Sequence, residues 1–305
     1  MVLPVGAALR SARARLGLSV ALVSLGAGLG AGAAAAAEPV PAEVLAPHRA
    51  VYDLSLVQSR GNGGVRAVSG RLVYEFARSG CHSFTLTYRQ VMRMESDEGK
   101  AGLLDFISIT TESDDGKRFS FSTTSSVDGA DPSHTEGEAR RRTDGSIVVS
   151  LKEPEERTTD LPASVLFPTE HMRRVIGEAR AGTALVNADV FDGSDTGIAA
   201  SPTLAVIGPV LQPTDAVPDA GAGNQDLRKL PRWPLSLSYF DPEEGDGEQV
   251  PKFIFGGELY ENGISRALEL DYGTFVIRGK LTSLERLPAA SCPDKATGQP
   301  RKTNP

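Results

Sequence analysis

LPASVLFPTEHMRRVIGEARAG, residues Leu161–Gly182, is the one convincing amphipathic helix after an N-terminal leader, and long strand-like stretches lie on either side of it. Pro168 suits a first helical turn, where its missing N–H would have no intrahelical partner anyway. Met172, Val175, Ile176 and Ala179 fall at i, i+3, i+4 and i+7 and make one apolar stripe. Arg173, Arg174 and Arg180 are expected to face away from the stripe, toward water. Glu170 stands four residues before Arg174, and Gly182 supplies a C-terminal stop. A lone helix among strands has to bury its stripe on a sheet. The spacing therefore predicts a helix packed against, or inside, a curved sheet.

Outward from the helix the period changes from 3.6 to 2. In His48–Gln58 the residues Ala50, Tyr52, Leu54 and Leu56 share one face. Arg66–Arg78, Cys81–Met94, Leu103–Glu112, Arg118–Thr124, His134–Arg142 and Ser146–Leu151 follow as strands. The turns between them include Gly61–Gly64, Asp114-Asp115-Gly116 and Asp144-Gly145. After the helix, strands are expected at Ala184–Phe191, Leu235–Phe240, Pro251–Tyr260, Ile264–Tyr272 and Thr274–Leu287. The acidic, glycine-rich Glu243–Gly247 and the hairpin signal Glu261-Asn262-Gly263 separate the later ones. Ile198–Lys229, rich in Pro, Gly and Ala, reads as a long loop or lid with one apolar run at Leu204–Leu211. Such even spacing points to a mainly β, antiparallel sandwich or barrel of a dozen or more strands.

Residues 1–37 read as a cleaved export signal. Arg10, Arg13 and Arg15 make a positive n-region, Leu16–Leu29 a short apolar core, and Ala35-Ala36-Ala37 a cleavage site. That core falls short of the roughly 20 residues a membrane-spanning helix needs. No cysteine near the site offers a lipid anchor, so the expected product is soluble, exported and without a transmembrane segment. Removing 37 of 305 residues leaves 268, and losing three arginines moves the net charge from −7 to −10. An acidic chain of this kind is a poor partner for nucleic acid or anionic lipid. Cys81 and Cys292 are the only cysteines. An even count in an oxidising compartment favours a disulfide over two separate thiols, and a bridge would tie residues 38–292 into one domain. A redox switch is the alternative to a structural bridge. Residues 293–305 read as a disordered tail.

Catalytic and metal motifs are sparse. His48, His82, His134 and His171 show no metal-ligand spacing, so no metal site is expected. His171, at the helix start, is the most suggestive of the four; a hydrogen-bonded or solvent-facing histidine is its plainer reading. Asp195-Thr196-Gly197 matches an aspartic-protease triplet, but that chemistry needs two such carboxylates. Asp192–Gly197 is expected to be a polar hairpin loop, with weak calcium binding as the remoter reading. No nucleophile elbow, P-loop or dinucleotide fingerprint is present, and neither an enzyme nor a cofactor is expected. Trp233, the only tryptophan, is expected to be packing, with a ligand mouth as the alternative.

Several blocks together resemble one known family. They are HRAVYDLSL (His48–Leu56), SGRLVYEF followed by Cys81, FPTEH (Phe167–His171), FDGSD (Phe191–Asp195), ELYENGISRALELDYGTFVIRGKLTSLERLP (Glu258–Pro288), and Cys292 after the last strand. These are similar to the cell-envelope integrity protein EipB family of α-proteobacteria, formerly a domain of unknown function, and the likeness spans nearly all of the chain after the leader. The resemblance implies a periplasmic protein whose strands coil into an open barrel or β-spiral around a central helix. It implies a Cys81–Cys292 disulfide and a non-enzymatic role in envelope integrity under stress. It carries over no catalytic residues.

The expected protein is a monomer that binds a periplasmic protein partner or envelope component. The alternative is a carrier of lipid or lipoprotein acyl chains. A hydrolase of envelope polymers is the third class, and no catalytic set supports it. The candidate ligand groove lies beside the helix stripe, bordered by Tyr52, Leu54, Tyr74, Phe84, Met172, Val175, Ile176 and Trp233. A solid core filling that space is the competing expectation.

Overall fold

A computed structural model of the chain describes residues 45–60, 64–194, 196–213, 227–242 and 249–288. The leader, Asp195, the Glu243–Gly247 turn, Cys292 and the 293–305 tail lie outside the described residues. The first half is a meander of β1 (His48–Ser59), β2 (Val65–Arg78), β3 (Ser83–Ser96), β4 (Ala101–Ser113), β5 (Arg118–Val127), β6 (Ser133–Arg141), β7 (Ile147–Glu153) and β8 (Arg157–Leu161). The helix α1 (Pro168–Ala181) follows. The second half is β9 (Leu185–Val190), β10 (Ser201–Ile207), β11 (Arg232–Tyr239), β12 (Phe253–Tyr260), β13 (Ser265–Asp271) and β14 (Phe275–Arg286).

The fourteen strands among the described residues form one antiparallel sheet in the order β8-β7-β6-β5-β4-β3-β2-β1-β14-β13-β12-β11-β10-β9. Only the β1–β14 pairing is long in sequence; every other neighbour is joined by a local connection. Among the described residues the sheet is not closed, because β8 and β9 each keep a free edge. A single parallel bridge, Leu166 to Val190, brings the chain leaving β8 against β9.

Period-2 alternation decides what fills the interior. The inward side chains of β1–β3 and β11–β14, from Ala50 and Tyr52 to Ile277 and Leu281, form one apolar cluster with Met172, Val175, Ile176 and Ala179. A second cluster holds Phe119, Phe121, Ile147, Val149, Phe167 and Phe191. The helix joins the two: Phe167 at its N-cap belongs to the second cluster and its stripe to the first. Gly182, at φ 80°, ends it in the left-handed conformation that glycine adopts without a Cβ clash. The outer face meets water through cross-strand ion pairs such as Arg71–Asp53 and Arg89–Asp105.

Three expectations change. Leu161 is the end of β8, a strand whose exposed RTTDL sequence carries no apolar alternation to announce it. The expected loop Ile198–Lys229 contains β10, which pairs with both β9 and β11; its apolar run is a sheet strand, and 214–226 lies outside the described residues. Arg173 does not face water. Its guanidinium lies 5.6 Å from the centroid of the Phe84 ring, and its side chain is 12% exposed. The helix is enclosed on that flank by β3, so a position off the apolar stripe is still covered.

Candidate functional site

The eight residues of the expected groove come together in one apolar cluster around α1, and all are buried. They meet as packed core. Two voids flank the helix. One of about 10 Å³ is lined by Tyr74, Phe84, Met172, Thr110, Glu112 and Thr169 among others. One of about 20 Å³ is lined by His171, Met172, Val175, Leu235, Phe255 and Ser265 among others. Each has room for about one water. Tyr52, Leu54, Ile176 and Trp233 line neither void, and the Tyr52 hydroxyl donates to the Ser265 carbonyl at 2.7 Å.

The start of α1 is held from across the fold. Phe167 has no side-chain acceptor for the first-turn amides, so the helix borrows one. Glu112 of β4 accepts the Thr169 N–H at 2.7 Å and the Glu170 N–H at 3.0 Å. Glu170 in turn accepts the Phe167 N–H, and Arg141 of β6 donates to the same Glu170 carboxylate at 2.9 Å. A carboxylate at a helix N-terminus satisfies orphan amides and opposes the helix dipole. Its burial works the other way. Desolvation raises the Glu112 carboxyl to about 7, against the lowering pull of the Thr169 and Glu170 donors and of Arg173.

Beside Glu112, across the β3–β4 pairing, lies an aromatic–cation stack. Phe84 stacks on Phe76 at 4.7 Å, and the guanidinium of Arg78 sits 4.4 Å from the Phe84 centroid. Asp114 accepts from Arg78 at 2.8 Å and lies 4.0 Å from Arg173.

The remaining singled-out residues separate. His171 is 2% exposed, and its Nε2 has no hydrogen-bond partner among the described residues. Burial lowers its pKa to about 3. The His48 Nδ1–H donates to the Ala46 carbonyl at 2.7 Å, and its ring stacks on Tyr74. His82 is exposed at the β2–β3 turn. His134 contacts Thr124 on the neighbouring strand at 3.1 Å. Among the described residues no group of three His, Cys, Asp or Glu side chains could hold a metal ion. The start of the 192–197 loop turns inward: Asp192 is buried, and a Cβ on Gly193 would lie 2.3 Å from the Phe121 ring. Arg232 and Arg266, both buried, share the Glu258 carboxylate.

The EipB-like family profile matches residues 39–288. The chain belongs to the EipB-like family. A curated relative, the cell envelope integrity protein EipB of Brucella abortus (strain 2308), is 38% identical over 243 residues, which is 79% of this chain and 84% of the relative. A solved Brucella abortus structure, described as a beta-barrel-like protein of a domain of unknown function, superposes with a TM-score of 0.73. It is 36% identical, covering 82% of this chain and 100% of that one. In this EipB-like chain the helix seat was legible from periodicity, whereas Glu112 was not. Its signal was a lone carboxylate at the end of an otherwise apolar and Ser/Thr inward face, where a charge requires a partner.

Proposed function

We propose that this EipB-like protein is a non-enzymatic periplasmic adaptor that supports cell-envelope integrity by binding a protein partner or envelope component through its surface. The observation that carries this reading is the tight packing beside α1, where all eight groove residues are buried in one cluster. A pocket for a small ligand spans roughly 300 Å³ or more, and the voids beside α1 are about 10 and 20 Å³. The outer face, laced with ion pairs, suits water rather than lipid. The name of the Brucella relative supports the envelope role, and the residues 1–37 signal supports export to the periplasm. No described helix is long and apolar enough to cross a membrane.

A Cys81–Cys292 disulfide belongs to this reading, making residues 38–292 a single unit. Cys81 carries no free thiol. Arg286 pairs with His48, and His48 with Phe76, five residues before Cys81. Two strand spacings separate Arg286 from Phe76, about 10 Å, and the six residues from Arg286 to Cys292 span up to about 20 Å. Non-reducing peptide mapping is expected to recover the linked Cys81 and Cys292 peptides. Quantitative thiol labelling of the unreduced, denatured protein would remove the bridge from the reading.

The carrier is the second reading, favoured by Met172 of the helix stripe, which lines both voids, and by Tyr74, Phe84 and Val175, which each line one. It requires the helix to shift and open the core. Delipidated protein titrated with a fluorescent fatty acyl probe separates the two. The adaptor reading expects no saturable binding. Saturable binding that an Ala179→Trp variant abolishes would assign the carrier instead. Crosslinking in the intact periplasm is expected to trap a stoichiometric protein or envelope component, and its absence would end the adaptor reading.

A further inference from the structure

The free edge of β9 differs from its counterpart on β8. β8 is five residues long and carries Arg157 and Asp160, short and charged as protected edges are. β9 carries Leu185, 57% exposed, next to the exposed Val206 of β10, its cross-strand neighbour. It has neither lysine nor proline.

The hydrogen-bond phase shows which backbone groups this edge presents. The Ile207 N–H donates to the Ala184 carbonyl, so the alternation of an antiparallel ladder turns Val186 and Ala188 toward β10. Leu185, Asn187 and Asp189 turn away. At one end this edge already holds extended backbone: the Leu166 N–H donates to the Asp189 carbonyl at 2.9 Å, and the Phe191 N–H to the Leu166 carbonyl at 3.0 Å. The backbone groups of Leu185 and Asn187 continue the same row with no strand beside them among the described residues. Both residues are exposed, as is Asp189, whose carboxylate makes no ion pair among the described residues.

We infer that the β9 edge docks an extended segment of a partner protein as an added strand, one with an apolar side chain beside Leu185 and a long basic one beside Asn187, within diagonal reach of the Asp189 carboxylate. The row of outward amides and carbonyls supplies the main-chain bonds of strand addition, and the side-chain pattern supplies selectivity. The docked strand continues the seat that Leu166 begins. This inference rests on the adaptor reading and gives it a location.

The probe is a fluorescent ten-residue peptide alternating Val and Thr with a lysine near each end, followed by anisotropy. Saturable binding is expected, weakened tenfold or more by Asn187→Pro. That substitution removes an N–H facing the free edge and leaves the β9–β10 bonds in place, where an edge strand tolerates proline. Leu185→Asp is expected to weaken binding as well and keeps every backbone donor, so it decides the matter if the proline variant does not fold. Val57→Asp, on the outer face of β1, is expected to bind as the parent does. No saturable binding, or binding unchanged by both β9 substitutions, overturns the proposal. Self-association in sedimentation that Asn187→Pro removes would assign the edge to a second copy and overturn the partner. Periplasmic crosslinking tests the adaptor reading separately: a trapped partner together with an inert β9 edge removes this site alone.

Discussion

Ile176→Asp is expected to cost at least about 4 kcal/mol and to lower the melting temperature by about 10 °C or more, because it buries a charge with no partner. Ile176 has no exposed surface and sits in the larger apolar cluster, between the β1–β3 wall and the β11–β14 wall. A carboxylate there can reach neither water nor a cation without moving α1. Arg174→Ala, at an exposed helix position, is expected to stay within about 0.5 kcal/mol. Arg173→Ala falls between them, at about 1–2 kcal/mol, through loss of the stack on Phe84 and the contact with Asp114. Thermal and urea unfolding of the three variants check the order. Equal, small effects of Ile176→Asp and Arg174→Ala would make α1 a surface appendage.

Acid is expected to unfold the protein through two histidines, with Glu112 resisting. Burial holds His48 at about 4, with the Ala46 carbonyl pulling upward and Arg286 adding to the lowering, and holds His171 at about 3. Both ordinarily titrate near 6.5, so below that pH the unfolded chain takes protons that the folded chain refuses. Stability is lost as pH falls from 6.5 through 4 and then 3. At about 1.4 kcal/mol for each tenfold change in proton affinity, His48 withdraws about 3 kcal/mol and His171 about 5.

Glu112 has the opposite sign. Its carboxyl is raised from 4.5 to about 7, so its contribution is full below 4.5 and lost as pH rises through 7. Acidification from 7 to 4.5 therefore returns up to about 3 kcal/mol and flattens the curve there. Urea unfolding across pH 3–8 is expected to show a decline that begins near 6.5, is steepest between about 4.5 and 4, and continues to about 3. His171→Phe is expected to move the acid midpoint to lower pH. Glu112→Gln is expected to lose more stability relative to the parent at pH 5 than at pH 8. A Glu112→Gln deficit that is the same at both pH values would mean that Glu112 stays ionised throughout.

The periodicities of the chain translate directly into parts of the fold. Alternation at Ala50, Tyr52 and Leu54 and at Phe84, Leu86 and Tyr88 marks inward faces that the structure buries. The 172/175/176/179 stripe marks the buried side of α1. Both patterns are local, since a side chain's direction follows from its own φ and ψ. β8 escaped because an exposed edge strand has no core face to imprint on its sequence. β10 escaped because its small and polar inward residues, Ser201, Thr203 and Ala205, leave the alternation weak among prolines and glycines.

By itself, the sequence determined the strand-rich class, the lone helix and its buried stripe, and the family through blocks such as FPTEH and the Glu258–Pro288 run. Tertiary structure alone decided that Glu112, more than fifty residues upstream, caps α1. It decided that Arg173 lies over Phe84 instead of in water, that the groove residues close into packed core, and that β9 keeps an open edge. Each of these depends on which strand stands beside which and in what register. Such pairings join residues far apart in the chain, and no local pattern of hydrophobic and polar residues records them.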